Sequence, residues 1–410
     1  MKLMYANWLL TCDEDFKIIE NGAIAFDEKI LDIGTYDEFQ VKYKNEKIEY
    51  LGQNSVIMPG LINTHVHLEF SANKTTLKYG NFVQWLFSVM QHREDLIEKA
   101  TKKLIDSELK NMLANGTTTI GAISSYGFDM ESCVESPLNV MYFTEVLGSK
   151  PDMIDTLFVD FQAKLKSAIA QTSDNFIPAI AIHSPYSTHP FLIREVLQIA
   201  KEKKMAVSAH FQESKAENNW LNYSSGEFES FFKDMLDQHK SLTKPSEFLE
   251  QFKNIEHLSF THCVEANEKE LKQIKDLGAS IIHCPNSNRL LNNSILNISY
   301  LDDIPLAMGT DGLSSNNTLN MFDEIRNAFF MHTNLDSNEL SKKLLVASTN
   351  GGAQALGLNK GILKKGFDSD IISFTLPDKC DTAENLSTSI ILHTTKTTHT
   401  YIKGKDELNK

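Results

Sequence analysis

Residues 60–67 read GLINTHVH, a run of small and apolar residues that ends in two histidines. Segments with helical spacing, such as FLIREVLQIAKEKK (191–204) and EKELKQIKDLG (268–278), separate this run from others like it. The other runs are TTTIGAIS (117–124), NVMYFTEV (139–146), FIPAIAIH (176–183), MAVSAH (205–210), LSFTH (258–262), SIIHC (280–284) and IPLAMGTD (304–311). Apolar runs that alternate with amphipathic segments are typical of βα units. About eight such units predict an α/β fold of the TIM-barrel type.

Polar residues stand at the ends of these runs, although a barrel strand is covered on both faces and should be apolar throughout. Six runs have histidine or aspartate as their last or next-to-last residue: His67, His183, His210, His262, His283 and Asp311. The carboxyl ends of all strands in a parallel barrel meet at one face, which carries the active site. We therefore expect these side chains to gather at one mouth of the barrel.

The two ends of the chain read differently, as short β-branched and aromatic stretches between Asn, Asp and Gly. At the C-terminal end these stretches include DIISFTL (370–376) and STSIILHTT (387–395), both of which we expect to be strands. Neither end can close a stable sheet alone, so we expect residues 1–57 and 360–410 to form one small β domain. Residues 58–359 would then form the barrel. The long stretch 214–256 between the fifth and sixth runs exceeds a normal crossover and is a candidate lid.

Composition limits the function classes. The 410 residues include 40 Lys plus Arg and 54 Asp plus Glu, so the net charge is −14, which argues against nucleic-acid and anionic-membrane partners. The five cysteines are scattered without a C-x-x-C pair, as expected for reduced thiols. The sequence has no signal-peptide pattern at its start and no apolar run of about 20 residues, so we expect a cytoplasmic location.

His65 and His67 are two residues apart on the first strand, so both imidazoles point the same way and can reach one metal ion. The alternative is a pair of strand-end histidines that hydrogen-bond to the backbone. His210 and Glu213 form an H-x-x-E pattern, in which a carboxylate near a metal suits proton transfer. Glu213 could instead be a helix N-terminal glutamate favoured by the helix dipole. Asp311 likewise could be a plain helix cap.

Three histidines and one carboxylate suit a zinc-type site that keeps one position open for water. The fourth run ends in His183 rather than lysine, so a two-metal site bridged by a modified lysine is not supported. The sequence lacks H-E-x-x-H, the P-C-x-x-C of cysteine-ligated deaminases, GxGxxG and a P-loop. One divalent metal ion is therefore the simpler interpretation.

With these motifs in place, the chain resembles the amidohydrolase superfamily and, within it, the mononuclear deaminases. The motifs that carry this resemblance are PGLINTHVH (59–67), AIHSPYS (181–187), AHFQES (209–214), THCVEA (261–266), HCPNSN (283–288), GTDGLSSNN (309–317), NGGAQALGL (350–358), KGILKKGFDSDIISF (360–374) and YIKGK (401–405). The resemblance implies a distorted TIM (β/α)8 barrel with a small β-sandwich domain built from both termini. It also implies a hydrolase that acts on the C–N bond of a cyclic amidine.

Finer motifs are similar to those of the aminofutalosine deaminases: HLEFS (67–71), ESPLNVMYFTEVLGS (135–149), CPNSNRLL (284–291) and TDGLSSNNTLNMFDEIR (310–326). Those enzymes convert the adenine ring of 6-amino-6-deoxyfutalosine to hypoxanthine on the futalosine route to menaquinone. The alternatives are an S-adenosylhomocysteine, 5′-methylthioadenosine or guanine-type deaminase. A further alternative, from another class, is a catalytically inactive relative that acts as a structural protein. Many relatives are oligomers, so a homodimer is expected by analogy.

The resemblance also assigns residue roles. It implies one Zn²⁺ per subunit, with Fe²⁺ or Mn²⁺ accepting the same ligands: His65, His67, His210 and Asp311. His262 resembles the water-activating histidine, with Asp311 sharing the proton, and Glu213 resembles the residue that protonates the ring. His183 occupies a substrate-facing position, and His283 is expected to lie behind the metal ligands.

Substrate contacts follow from the expected purine nucleoside. The benzoate of aminofutalosine requires a cation, and Arg289 just beyond the seventh strand is our candidate. It could instead be a surface arginine paired with an acid. Glu69 and Trp85 are candidates for ribose contacts and for packing on the substrate. The chain has Gln84 where deaminases of the homocysteine nucleoside tend to have a ribose-binding glutamate, which disfavours that nucleoside as the substrate.

Overall fold

Eight parallel strands form the central sheet in the order in which they occur along the chain. In this computed structural model, which describes residues 1–301 and 303–409, each predicted apolar run overlaps one strand. The strands are β1 (Leu61–Val66), β2 (Thr117–Ser124), β3 (Asn139–Val146), β4 (Phe176–Ile182), β5 (Val207–Phe211), β6 (Leu258–His262), β7 (Ser280–His283) and β8 (Leu306–Met308). The predicted α/β barrel is therefore confirmed.

Hydrogen bonds beyond the strand ladder connect the first strand to the end of the last. The Thr64 hydroxyl donates to the Met308 carbonyl at 2.7 Å, and the backbone N–H of Asp311 donates to the His65 carbonyl at 2.9 Å. Asn63 Oδ1 accepts from the backbone N–H of Thr310 at 3.0 Å. These bonds nearly close the barrel and bring Asp311 next to the histidines of β1.

Helices surround the barrel and cover the outer face of the sheet. Their apolar residues recur at helical spacing, as Phe161, Leu165 and Ala168 do in the helix Ile154–Ala170, where all three are buried. The helices between β1 and β6 are Phe82–Gln91, Arg93–Lys99, Lys102–Ala114, Met130–Glu135, Ile154–Ala170, Pro190–Lys203, Lys215–Tyr223, Glu227–Leu236 and Pro245–Glu250. Those after β6 are Glu268–Asp276, Pro285–Leu290, Met321–Met331, Ser337–Ala347 and Asn350–Leu356.

Both chain ends contribute to the additional β structure, as predicted. A six-stranded sheet contains strands from both ends, in the order Lys405–Asp406, His399–Ile402, Ile371–Thr375, Ser55–Pro59, Trp8–Leu10, Ile18–Glu20. A four-stranded sheet comes from the N-terminal end, in the order Ile30–Thr35, Gly22–Phe26, Lys2–Tyr5, Glu49–Tyr50. The short helix Tyr36–Lys42 follows the strand Ile30–Thr35. Only Gly60 separates the strand Ser55–Pro59, which crosses the boundary expected at residue 57, from β1.

The expected strand at residues 387–395 is wrong, because this stretch belongs to the helix Ala383–His393. Its buried residues Leu386, Ile390 and Ile391 recur at helical spacing. The β-branched composition of STSIILHTT suggested a strand, but the helix buries its apolar side against Ser337–Ala347 of the barrel. Tertiary packing here overrides local β propensity.

A buried ion cluster connects the C-terminal segment to the barrel. Lys360 Nζ donates to Asp368 and to Asp370, at 2.8 Å in each case. Asp370 also accepts from the Asn139 amide of β3 at 2.9 Å, and Lys29 pairs with Asp368 from the N-terminal segment. The cluster therefore joins three distant parts of the chain.

Within the described ranges, no helix has both the length and the apolar character needed to cross a membrane.

Candidate active site

The strand ends do gather at one mouth of the barrel. His65 of β1 and His67, which directly follows β1, face His210 at the end of β5, and the Nε2 atoms of His67 and His210 are 3.3 Å apart. Asp311, which follows β8, places its Oδ1 3.8 Å from His67 Nε2. All four side chains are buried. The structure thus brings together the four residues expected to bind the metal ion.

These residues fit a divalent cation. One set of mutually close ligand atoms comes from His65, His67 and Asp311, and another from His65, His210 and His262, each within 4.8 Å. In the described part of the chain, His65 Nε2 is buried and has no hydrogen-bond partner. Two buried imidazole nitrogens that face each other, with a carboxylate beside them, are a typical metal donor set.

The electrostatic environment keeps the imidazoles neutral, as metal ligands must be. Burial lowers the pKa of His67 to about 3, although Asp311 opposes the shift. Burial, followed by the neighbouring histidines, places the pKa of His65 well below its usual value. Burial raises the pKa of Asp311, but His67 and His262 outweigh it and keep the pKa below its usual value. At neutral pH the cluster therefore holds neutral imidazoles and one carboxylate.

Glycines allow the end of β8 to approach β1 closely. A Cβ on Gly309 would lie 2.8 Å from the Cβ of His65, and one on Gly312 would lie 3.1 Å from the Cβ of His67. His262 and Asp311 both have positive φ angles, of 73° and 60°. Such angles are uncommon for residues other than glycine and cluster at functional sites. The local backbone is therefore shaped to aim these two side chains into the mouth.

Neighbouring groups fix the orientation of the imidazoles. His210 Nδ1 donates to the His183 carbonyl at 2.6 Å, which leaves its Nε2 as an acceptor toward the cluster. His262 Nδ1 donates to Asn288 Oδ1 at 2.9 Å in the same way. The Ser287 hydroxyl donates to Asp311 Oδ2 at 2.7 Å. Asn288 and Ser287 lie in the predicted HCPNSN motif, but the sequence analysis assigned them no role.

Glu213 lies beside His262, with 3.6 Å between its Oε1 and His262 Nε2. Burial, with added repulsion from Asp311 and Glu217, raises the pKa of Glu213 well above its usual value. Burial lowers the pKa of His262 to about 4. The surroundings therefore favour the neutral form of both groups, which suits donation and acceptance of a proton at the same centre.

An inner pocket of about 100 Å³ opens directly above this cluster. Of the predicted substrate contacts, His183 and Trp85 line it. The Trp85 indole N–H donates to the Ser314 carbonyl at 2.8 Å, and His183 Nδ1 lies 2.6 Å from the Ser187 hydroxyl. These contacts hold both rings in place, and the ring atoms that take no part in them can contact a substrate.

An outer cavity of about 600 Å³ adjoins the inner pocket and shares Ser125, Glu145 and Tyr186 with it. The predicted lid segment forms three helices, and Glu227–Leu236 supplies Phe231 and Phe232 to the cavity wall. This helix therefore forms part of the wall of the outer cavity. Together the two spaces form a long site that leads outward from the histidine cluster.

Two of the predicted substrate contacts line neither the inner pocket nor the outer cavity. Glu69 is buried and accepts hydrogen bonds from the backbone N–H groups of residues 125–128, so it holds that loop rather than facing the pocket. Arg289 is exposed and lines neither the inner pocket nor the outer cavity. His283 Nε2 lies 3.1 Å from His332 Nε2, behind the strand ends.

Glu145 is a site residue that the sequence analysis missed. It accepts a hydrogen bond from the Ser125 hydroxyl through Oε2, while its Oε1 is buried and has no partner within the described ranges. The third run, NVMYFTEV, ends one residue after this glutamate. A search of strand ends for glutamate as well as for histidine and aspartate would have found it.

Comparisons with known proteins agree with this geometry. Residues 56–406 match the model of the amidohydrolase family. An aminodeoxyfutalosine deaminase of Nitratiruptor sp. is 43% identical over 393 residues, which are 96% of each protein. The crystal structure of Helicobacter pylori aminofutalosine deaminase in complex with methylthio-coformycin matches with a TM-score of 0.94 and 33% identity, covering 99% of this chain and 100% of that one.

A more distant structure shows the same fold. The adenosine deaminase from Xanthomonas campestris with bound zinc matches with a TM-score of 0.79 and 20% identity, covering 99% of this chain and 92% of that one. The family match spans most of the chain, including every barrel strand and the strand ends that carry the histidine cluster. This chain belongs to the amidohydrolase family.

Proposed function

We propose that this protein is a metal-dependent hydrolytic deaminase of 6-amino-6-deoxyfutalosine, which it converts to futalosine and ammonia. The observation that carries the proposal is the pairing of Glu213 with His262, 3.6 Å apart beside a buried metal-type cluster, in surroundings that raise the pKa of the carboxyl group and lower that of the imidazole. Deamination of an adenine ring needs this pairing, because the ring nitrogen must gain a proton while water loses one. The relative at 43% identity named for this reaction supports the choice of substrate.

We propose one Zn²⁺ per subunit, held by His65, His67, His210 and Asp311. Iron and manganese accept similar ligands, so the identity of the bound metal also depends on which ion is available. A divalent cation held there would supply a Lewis acid that lowers the pKa of a water molecule toward neutrality.

The chain's own residues would then move the protons. His262 accepts a proton from the attacking water at Nε2, the nitrogen that its bond to Asn288 leaves free. Asp311 Oδ2, 4.0 Å from that nitrogen, shares the proton. Glu213 donates its proton to the ring nitrogen beside the amino-bearing carbon, which relieves the charge that attack places there. The water oxygen becomes bonded to the carbon, and the proton held by His262 and Asp311 passes to the amino group. The C–N bond then breaks, ammonia leaves, and the hydroxyl proton returns to Glu213 as the carbonyl forms.

The shape of the site supports a nucleoside with a large 5′ substituent. The inner pocket lies over the cluster and suits the purine, with His183 and Trp85 beside it. The unpartnered Glu145 oxygen, between the two spaces, is a candidate acceptor for a ribose hydroxyl. A free base such as guanine would leave the outer cavity unfilled. An inactive structural relative would have no need of a complete set of proton-transfer groups.

We further propose that the protein works in the cytoplasm, in keeping with its five free cysteines. The homodimer expected from the resemblance stays a prediction. The test of the function is conversion of aminodeoxyfutalosine by zinc-loaded protein, followed by the spectral change from adenine to hypoxanthine and by ammonia release. We expect one ammonia per futalosine formed, and loss of turnover after chelation that added zinc restores. No conversion by zinc-loaded protein would overturn the proposal.

A further inference from the structure

The outer cavity has an unpaired cation at its edge. The guanidinium of Arg93 lies over the ring of Tyr126, with 5.0 Å from Cζ to the ring centroid, and both residues line the cavity. No carboxylate in the described residues lies within 4.0 Å of this guanidinium. The guanidinium also hydrogen-bonds to the Tyr126 side chain, and its remaining donors, with no carboxylate beside them, are available to a ligand.

The other arginines are elsewhere or occupied. Arg326 donates to Asp323 and to the carbonyls of Ile391 and Thr394. Arg194 pairs with its neighbour on the exposed face of a barrel helix. Arg289, which the sequence suggested, is exposed outside the cavity. Arg93 is therefore the arginine in position to meet a substrate that extends from the inner pocket.

The lysines of the cavity are less suited to this role. Lys164 Nζ is 2.7 Å from Asp160 and donates to the Ser125 carbonyl at 2.9 Å, so its charge is already paired with a carboxylate. Lys150 is exposed at the edge of the cavity, as Arg93 is, so the two differ in the geometry of their donors. A lysine binds an anion as a point charge, whereas an arginine matches both oxygens of a carboxylate.

The rest of the cavity wall is mainly apolar. Leu86 and Met90 line it from the helix Phe82–Gln91, and Phe231 and Met235 line it from the helix Glu227–Leu236. These side chains would pack against a planar aromatic ring, which gains by leaving water. A polar amino-acid substituent would instead lose hydration against this wall, whose carboxylates are Glu145, next to the inner pocket, and Asp160, which is paired with Lys164.

Hydrogen bonds of its backbone hold Tyr126 in place. Its backbone N–H, with those of its neighbours in 125–128, donates to the buried carboxylate of Glu69. This anchor fixes the loop on which Arg93 stacks, so the guanidinium is positioned before a ligand arrives. Pre-positioning of this kind lowers the entropy cost of binding.

We propose that Arg93, over the ring of Tyr126, is the residue that pairs with the substrate's 5′ aromatic carboxylate in the outer cavity and so determines specificity at that end. The proposal rests on the proposed function for the position of the purine. It adds that the protein selects its substrate by the charge at the 5′ end of the nucleoside, which the metal cluster does not contact.

Binding of the product tests this proposal without any need for turnover. The dissociation constants of futalosine and of its benzamide analogue, in which the carboxylate is a neutral primary amide, are measured by calorimetry on the zinc-loaded protein. Wild type should bind futalosine about 10- to 100-fold more tightly than the amide, as expected for a hydrogen-bonded charge pair. Arg93→Gln should remove most of this difference, and Arg93→Lys should restore part of it.

Controls separate Arg93 from its neighbours. Arg194→Gln removes an exposed arginine far from the cavity and should leave the ratio of the two dissociation constants unchanged. Equal binding of acid and amide by wild type, or a ratio that survives in Arg93→Gln, overturns the proposal. A ratio that collapses in Lys150→Gln or Arg289→Gln but not in Arg93→Gln also overturns it. Ammonia release is scored separately, so a protein that binds as expected but does not deaminate contradicts only the proposed function.

Discussion

The Nε2 atom of His262 lies 3.6 Å from Oε1 of Glu213, and the two groups have opposite tendencies to hold a proton. Burial lowers the pKa of His262 to about 4, whereas burial and nearby carboxylates raise that of Glu213. Burial disfavours the charged form of each group, so the same environment favours a neutral base and a neutral acid. The proposed proton transfers require this combination at neutral pH.

Replacement of the proposed acid should separate chemistry from metal binding. Glu213→Gln keeps the size of the side chain but cannot donate a carboxyl proton. We expect kcat for aminodeoxyfutalosine to fall about 10²- to 10⁴-fold, the usual contribution of a positioned acid or base, with metal content unchanged. Glu229→Gln, on the exposed face of a nearby helix, is the control and should behave as wild type. Full activity in Glu213→Gln would refute the assigned role.

Asn288 should act as a positioning residue for His262, because its Oδ1 accepts from Nδ1 and leaves Nε2 to take the proton. Asn288→Ala should lower kcat about 10- to 100-fold, the range for groups that orient imidazoles, with little change in KM. Asn288→Asp keeps the acceptor and should recover much of kcat. Its charge should also raise the pKa of His262 and move the acidic limb of the pH–rate profile upward. A loss of kcat that Asp does not relieve would indicate a packing role only.

Removal of a proposed ligand should release the metal ion. His67→Ala takes away one of the two imidazoles that face each other at 3.3 Å, and we expect substoichiometric zinc and no measurable turnover. Because a bound ion stabilises only the folded state, chelation of wild type should lower Tm, and His67→Ala should show little further change on chelation. Stoichiometric zinc in His67→Ala, measured by elemental analysis, would rule out this ligand assignment.

The buried ion cluster predicts a stability effect away from the active site. Lys360→Met leaves Asp368 and Asp370 without their buried cation, and we expect a loss of about 3–5 kcal/mol in the free energy of unfolding. Lys29→Met removes an exposed partner of Asp368 and should cost no more than about 1 kcal/mol. Denaturant unfolding at neutral pH measures both. Equal effects of the two changes would show that the cluster is not tightly buried.

The same cluster has a defined dependence on pH. Burial raises the pKa of Asp368, but Lys29 and Lys360 outweigh it, so the folded-state pKa is below the usual value. The contribution of Asp368 is therefore complete above the unfolded pKa of about 3.9 and is lost as the pH falls through the lower folded value. The difference in stability between wild type and Lys360→Met should accordingly shrink below about pH 4.

The barrel and the metal-type cluster could be predicted from the sequence because both depend on short patterns. An apolar run that ends in His67 or His210 carries the strand and its functional end in the same few residues. The approach of Asp311 to β1 was also expected, since all strand ends share one mouth. These features need only the strand order, which a parallel barrel takes from the order along the chain.

Features that depend on distant contacts were missed or misjudged. Glu69 follows the metal-type motif directly, but the loop 125–128 that occupies its carboxylate is remote in sequence. Arg289 and Arg93 are equally plausible partners for an anion until the cavity is seen. The stretch 387–395 has strand-like composition, and only its packing against a barrel helix explains why it is helical. Such relationships are properties of the folded chain and have no local signature.

Competition between substrates in one vessel tests the central claim most directly. Zinc-loaded protein is given equal concentrations of aminodeoxyfutalosine, 5′-methylthioadenosine, S-adenosylhomocysteine and adenosine, and the deaminated products are separated and followed over time. Relative rates under these conditions report the ratios of kcat/KM. The account predicts that futalosine accumulates first, with the other substrates largely unchanged until aminodeoxyfutalosine is consumed. Deamination of methylthioadenosine or adenosine at an equal or greater rate would contradict it.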